Sequence, residues 1–387
     1  MAPEASVRAP RICFVAPAIY STICPDSGVS RIGGAELQQT ILGNVFAATG
    51  MEITYVTLDH GQPDRERVNG ATIIKSYREE AGIPGLRFFY PRVPKLWQAL
   101  ARADADVYYV RGAGYLPGLV ARFCRRHGRR FVFATASDAN VDPLLPSLPR
   151  MRDRWLYQHG LRRADAIVVQ SNHQAEVLSR HFGLPARVIR NVWHARALPS
   201  PCDRRELILW VSMFRELKQP EHFLRLAKAF PDERFVMIGG PLAGTKPYFD
   251  RVRREAEGVA NLEFLGYRTF QETEAYFERA KLLVNTSRYE GFPNTFLQAW
   301  SRGVPVLSYV DPDNLIVRCG LGAVAATEWD LGRCFGDLLD GSACDVGDIV
   351  RYFNDNHAPE GILACYERVF ADLNVGARIA LTERLLL

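Results

Sequence analysis

No stretch of this 387-residue sequence stays apolar for the roughly 18–20 residues that a membrane-crossing helix requires. The opening Met1-Ala2-Pro3-Glu4-Ala5-Ser6-Val7-Arg8 also lacks the apolar core of a secretory leader. The eight cysteines are scattered with no C-x-x-C spacing, which argues against a disulfide framework and against a zinc site. We therefore expect a soluble protein of the reducing cytoplasm, with no metal and no other cofactor. Low-complexity tracts and short-period repeats are absent too, and nothing calls for a nucleic-acid partner. Acid is scarce in one half only. Residues 1–200 hold 26 Lys/Arg against 16 Asp/Glu, and residues 201–387 hold 22 against 27, a contrast hidden within the net charge of +5.

What is present fits a globular chain, with 48% apolar and 24% charged residues. The length exceeds one ordinary core and favours two domains. Apolar runs without a period, such as Arg11–Pro17 and Val107–Arg111, read as interior strands of a parallel sheet. Further strands read at Ile53–Leu58, Ala71–Ser76, Phe131–Ala134, Ala166–Gln170 and Arg187–Ile189, with helices at Tyr115–Arg125, Met151–Arg162 and Gln174–His181. His194–Asp203, with Pro199 and Pro201, breaks the pattern and is the expected linker. Alternation resumes at Leu207–Val211, Glu221–Ala229, Phe235–Ile238, Tyr248–Glu257, Leu262–Leu265 and Glu272–Arg279, and Pro359–Leu373 reads as a helix opened by proline. The expected fold is α/β, with two doubly wound Rossmann-like domains facing a central cleft. They would span residues 1–197 and 203–358, with a terminal helix from about 359 to 387 returning to the first.

One stretch carries most of the chemistry. Tyr289-Glu290-Gly291-Phe292-Pro293-Asn294-Thr295-Phe296-Leu297-Gln298-Ala299-Trp300 lies between two buried strands and describes a turn, then a helix opening near Asn294 or Thr295. Such a turn offers free backbone N–H groups and a positive helix end to an anion. Gly33-Gly34 before a helix admits close backbone approach to a ligand, or is an ordinary loop end. Gly112-Ala113-Gly114-Tyr115-Leu116-Pro117-Gly118 reads as a turn and helix start, its last glycine one place late for a dinucleotide fingerprint.

The order of these pieces resembles the family 4 retaining glycosyltransferases of GT-B fold. Glu290 to Gln298 is similar to the family's E-x7-E signature, with Gln in the second acidic place. Gly33-Gly34-Ala35-Glu36 resembles its glycine loop, Ile167–Ser171 with Gln174 its segment before the hinge, and Arg190-Asn191 its P-N-G turn without the proline. Arg215-Glu216-Leu217-Lys218 resembles the Arg/Lys pair that holds the donor diphosphate, although Met213 stands where the family usually places Arg. Phe264-Leu265-Gly266, with Tyr267, resembles the loop beneath the nucleotide base.

The resemblance implies transfer of a sugar from a nucleotide sugar (UDP, GDP or ADP type) to a saccharide or lipid-linked acceptor, with retention and without metal, in surface polysaccharide or glycolipid assembly. Arg215 and Lys218 would meet the diphosphate; read as residues alone, they are equally a solvated pair at a helix start. Glu290 would accept hydrogen bonds from sugar hydroxyls, against a plain first-turn acid. Gly291, Phe292, Pro293, Asn294 and Thr295 would line the donor, with Gly33, Gly34, Gly266 and Tyr267. Gln298 either meets the ribose or closes a capping box with Thr295. Asp138 is the nearest polar residue where relatives carry a histidine, and is otherwise a turn residue. Cations and aromatics mix in Arg87–Trp97, which fits a peripheral contact at the inner face of a membrane or a plain loop, its prolines opposing a long helix. Two other readings stay open: an epimerase of the same fold, and a nucleotide-sugar binding protein without turnover.

Overall fold

The computed structural model describes residues 9–24, 33–194, 205–242, 244–340 and 344–375. The described residues fall into two compact units. One comprises those up to Val192 together with those from Pro359 onward, and the other is Trp193–Ala358. Beyond His194, the expected linker lies outside the described residues.

The first unit runs β1 (Arg11–Val15), α1 (Tyr20–Ile23), α2 (Gly34–Ala48), β2 (Glu52–Thr57), β3 (Arg65–Val68) and β4 (Ala71–Lys75). It continues through α3 (Val93–Ala103), β5 (Val107–Arg111), α4 (Leu116–His127), β6 (Arg130–Ala134), α5 (Met151–Leu161), β7 (Ala166–Val169), α6 (Asn172–Phe182) and β8 (Arg187–Val188). Its eight strands are ordered β3-β4-β2-β1-β5-β6-β7-β8, parallel except for β3. The central strands bury continuous Val, Ile, Phe and Tyr side chains, because helices cover both faces of a parallel sheet.

Two elements depart from expectation. Strand β3 escapes an apolar reading because Arg65, Glu66 and Arg67 place charge on an antiparallel edge, a composition that discourages pairing with another chain. Arg87–Trp97, expected to be a membrane-contact segment or a plain loop because its prolines oppose a long helix, is in part helix. Pro94 falls in the first turn of α3, where its missing N–H has no helical partner to lose, and Leu96, Ala99 and Leu100 are buried.

The second unit runs β9 (Leu207–Val211), α7 (Pro220–Ala229), β10 (Arg234–Ile238), α8 (Lys246–Ala256), β11 (Leu262–Gly266), α9 (Phe270–Arg279), β12 (Ala280–Asn285) and α10 (Asn294–Trp300). Then come β13 (Val306–Ser308), α11 (Leu315–Arg318), β14 (Gly322–Val324), α12 (Glu328–Leu339) and α13 (Val346–His357). Its six-stranded parallel sheet is ordered β11-β10-β9-β12-β13-β14. The last described helix, α14 (Pro359–Asp372), belongs to the first unit, where the rings of Tyr366 and Phe370 meet Phe46 edge-on at 5.2 and 5.5 Å.

Helices α4 and α5 cross at two glycines. A Cβ on Gly118 would collide with the carbonyl of Leu156, and one on Gly160 with the backbone of Pro117. Gly118→Ala or Gly160→Ala should therefore cost about 1–3 kcal/mol by overpacking, read as a lowered midpoint in thermal unfolding. Gly114→Ala, whose Cβ would meet nothing within 4 Å, should leave the midpoint unchanged.

Candidate functional site

The second sheet reverses direction between β9 and β12: β10 and β11 lie on one side of β9, and β12, β13 and β14 on the other. Loops leaving the carboxyl ends of these two strands diverge, which opens the crevice where doubly wound sheets take ligands. Lys218, on the loop after β9, and Glu290, on the loop after β12, meet there. Lys218 Nζ pairs with Glu290 Oε1, with side chains only 10% and 16% exposed.

The two loops are fastened beneath the pair. Arg288 N donates to Leu217 O at 3.0 Å, Thr286 Oγ1 to Lys218 O at 2.6 Å, and Trp210 Nε1 to Thr286 Oγ1 at 2.9 Å. Asn285 Nδ2 adds a 3.4 Å contact to Glu290 Oε1. An ammonium has three N–H donors and a carboxylate two acceptor oxygens, so both groups keep capacity for a ligand while neutralising each other.

Around them, the expected residues are placed unequally. Arg215 caps the 3-10 turn Glu216–Lys218 and is exposed, with no side-chain partner among the described residues. On the first turn of α7, His222 Nδ1 lies 2.7 Å from Tyr309 Oη, and burial lowers its pKa despite the opposing pull of Glu328. Gly266, at φ +68°, ends β11, and Tyr267 follows half-exposed. Phe292 is buried against Trp300 and His357, Pro293 caps α10, and Gly291, Asn294 and Thr295 are partly exposed around it.

Sequence reasoning missed Gly239-Gly240, directly after β10. Phe214 N donates to Gly240 O and Gly239 N to Gly266 O, and a Cβ on Gly239 would strike Ser212 O. Three successive strand ends thus close against one another through glycine, and a Gly-Gly pair right after a strand was the available signal.

Gln298 does not close a capping box. The helix begins at Asn294 on Pro293, two residues earlier than that reading requires, so Thr295 already lies inside it. Gln298 is instead 5% exposed, and its Nε2 donates to Glu274 Oε1 of α9 at 2.9 Å. Arg302, 1% exposed, donates Nη2 to Glu274 Oε2 at 2.6 Å and Nη1 to Gln298 O at 3.0 Å.

In the first unit, Gly33 caps α2, and the carboxylate of Glu36 folds back over it. An anion arriving at this helix start has to displace Glu36. Asp138, after β6, accepts from Gln174 Nε2 at 2.7 Å. Gln174 Oε1 accepts from Thr135 Oγ1 at 2.6 Å and from Gln170 N at 3.0 Å, and Asn191 links Gln170 to Arg111. Asp138 is therefore one end of a polar network whose middle members are fully buried. Among the described residues, no group of three His, Cys, Asp or Glu is placed to hold a metal.

Comparison with known proteins gives this geometry a lineage. The family model described as Glycosyltransferase Family 4 matches residues 32–192, and that described as Glycosyl transferases group 1 matches residues 205–321. The chain belongs to the family 4 glycosyltransferases of GT-B fold. A curated relative, the D-inositol 3-phosphate glycosyltransferase of Mycolicibacterium vanbaalenii, is 25% identical over 245 residues, covering 54% of this chain and 54% of that one. The chain thus spans about half the length of the curated relatives it matches. Among solved structures, sucrose-phosphate synthase of Thermosynechococcus elongatus superposes with a TM-score of 0.76 at 18% identity, covering 95% of this chain and 99% of that one. Anabaena HepE, in complex with UDP-glucose, gives 0.70 at 14% identity over 94% of this chain and all of its own.

Removing one member of a buried pair strands the other. Lys218→Met should destabilise the second unit by about 3–5 kcal/mol, and Glu290→Gln should relieve part of that loss when combined with it. A double-mutant cycle in denaturant should give a coupling of about 1 kcal/mol or more; zero coupling would mean that the two charges do not meet.

Proposed function

We propose that the protein is a retaining, metal-independent glycosyltransferase that moves a hexosyl group from a nucleotide sugar to a saccharide or lipid-linked acceptor. The observation that carries this reading is the buried Lys218–Glu290 pair at the strand reversal of the second sheet. Cleavage of a sugar–phosphate bond leaves charge on the departing diphosphate, and a desolvated ammonium is suited to meet it. Exposed Arg215 adds a second cation. The free oxygen of Glu290 accepts from hydroxyls of the sugar, while Gln298 faces the ribose and Gly266 and Tyr267 flank the base. Gly33-Gly34 and Asp138 are assigned to the diphosphate and the acceptor. HepE in complex with UDP and UDP-glucose supports a uridine diphosphate donor.

The test is a panel of UDP-, GDP- and ADP-sugars, scored for nucleoside diphosphate release and for the anomeric configuration of the product. UDP release should persist in EDTA, and Glu290→Gln should lower kcat/KM by about a hundredfold or more. UDP binding without turnover on any acceptor would favour a binding protein, and interconversion of the donor sugar would favour an epimerase.

We further propose that this cytoplasmic enzyme works at the inner face of a membrane, as surface polysaccharide or glycolipid assembly demands. No described helix is long and apolar enough to cross one, but one face of the first unit is suited to lie on one. Ile83, Leu86, Phe89, Tyr90, Leu144, Met151 and Trp155 are each more than 60% exposed. Arg152 stacks 3.6 Å above Phe88, joining the two segments, and Arg87, Arg92, Arg150 and Arg152 line a pocket of about 300 Å³ between them. Interfacial aromatics with cations favour an anionic surface. Vesicles of phosphatidylcholine with phosphatidylglycerol should sediment the protein, phosphatidylcholine alone should not, and Phe89→Ser with Arg150→Glu should abolish the difference.

A further inference from the structure

Position 298 carries an amide where the family signature carries an acid, and the side chains around it account for the exchange. Glu274 comes from α9, 24 residues earlier, and its carboxylate is buried between two donors. One oxygen accepts from Gln298 Nε2 and the other from the Arg302 guanidinium, so both carboxylate oxygens are engaged. Arg302 is held by three further features: the carbonyl of Gln298, the hydroxyl of Ser301, and the ring of Phe277 at 5.9 Å.

Glu274 and Arg302 form an ion pair with the neutral amide beside it, all three less than 10% exposed. A glutamate at 298 would add a second carboxylate within hydrogen-bond distance of the first. Like charges that close cannot both stay ionised without a large cost. With Glu274 present, an amide is the residue that donates to the carboxylate without adding a second charge beside it.

The orientation of that amide follows from the same contact. A carboxylate only accepts, so Gln298 must turn its nitrogen toward Glu274 and its oxygen away. Oε1 accepts no hydrogen bond from the described residues. Donation into a carboxylate draws electron density toward that carbonyl oxygen and strengthens it as an acceptor.

We propose that Glu274, backed by Arg302, is a positioning residue that fixes the Gln298 amide with its oxygen presented to the donor nucleoside, so that the pair replaces a single acid of the signature. This rests on the reading of Gln298 as the ribose contact. The carboxylate has moved one residue outward, and the amide relays its acceptor character to the ligand.

Three variants test it: Glu274→Gln, Gln298→Glu, and the exchange Glu274→Gln/Gln298→Glu. Each is followed by thermal unfolding and by calorimetric binding of UDP and of inorganic pyrophosphate, which lacks the nucleoside. Gln298→Glu should lower the unfolding midpoint by roughly 4 °C or more, and the exchange should recover most of that loss. Glu274→Gln, which frees the amide to turn over, should weaken UDP by about tenfold and leave pyrophosphate unchanged, raising the donor KM more than it lowers kcat. The exchange, which restores a carboxylate–amide pair, should bring UDP affinity back toward wild type.

A Gln298→Glu protein as stable as wild type would overturn the charge argument. Glu274→Gln that lowers the midpoint without changing UDP affinity would overturn the positioning role. Failure of the wild-type chain to bind UDP, GDP or ADP would instead remove the ribose reading, and the positioning role with it.

Discussion

The corner of the second unit where β9 and β12 part depends on two opposite charges being allowed to stay out of water. Lys218 and Glu290 arrive on separate loops, from strands that are neighbours only because the sheet reverses there. Either charge alone in so enclosed a place would be expelled or neutralised. Together they are tolerated, and the tolerance is geometric. The bonds from Trp210 to Thr286, and from Thr286 to the carbonyl of Lys218, set the height of one loop against the other before any ligand arrives. Under the proposed function, a nucleotide sugar, with negative phosphate oxygens beside neutral hydroxyls, would present each member of the pair with a partner of its own. Binding would then exchange one compensated arrangement for another, limiting the desolvation that a diphosphate would otherwise meet.

The corner is also kept thin. Gly239 and Gly240 let the loop after β10 lie directly against those after β9 and β11, and side chains there would push Ser212 and Tyr267 aside. On the other side, α10 is short and almost wholly apolar on its buried face, held by Phe292, Trp300 and the α13 residue His357. Thin loops on one flank and a packed helix on the other leave the charged pair at the rim of the sheet, not beneath it.

How much of this could be read from residues alone follows from how local each determinant is. The interior strands were legible because a run such as Leu207–Val211 is apolar throughout and has one reasonable fate. The turn at Glu290–Asn294 was legible because Gly and Pro punctuate it. Strand β3 was not, since an edge strand made of Arg-Glu-Arg-Val advertises solvent. Helix α3 was obscured by counting prolines without asking which turn each occupied. The helix opening at Asn294 was legible too, but the capping alternative for Gln298 needed Thr295 as the cap, two residues past the observed one, and the side chain is buried against Glu274 instead. Asn285, Thr286 and Glu274 had no local signal, because the topology alone brings them to their partners. Arg302 did carry one: a charge amid small and apolar residues, just before a buried strand, requires a buried counterion somewhere in the fold.

That requirement changes what a signature motif means. Letters at fixed spacing record a balance of charge and hydrogen bonding at a site, and the balance can be kept with different letters when the surroundings change in step. In this chain an arginine at 302 calls for an acid, the acid arrives on α9 as Glu274, and its arrival makes a second acid at 298 untenable. Read by itself, the amide at 298 suggests a site in decline. Set beside Glu274 and Arg302, it is the uncharged member of a buried trio, and by the proposal above the one that offers an acceptor oxygen outward. The first charged pair, Lys218 with Glu290, keeps its signature acid because its counterion sits on the neighbouring loop and not behind it. Position 290 is thus free to remain glutamate for the same electrostatic reason that position 298 is not.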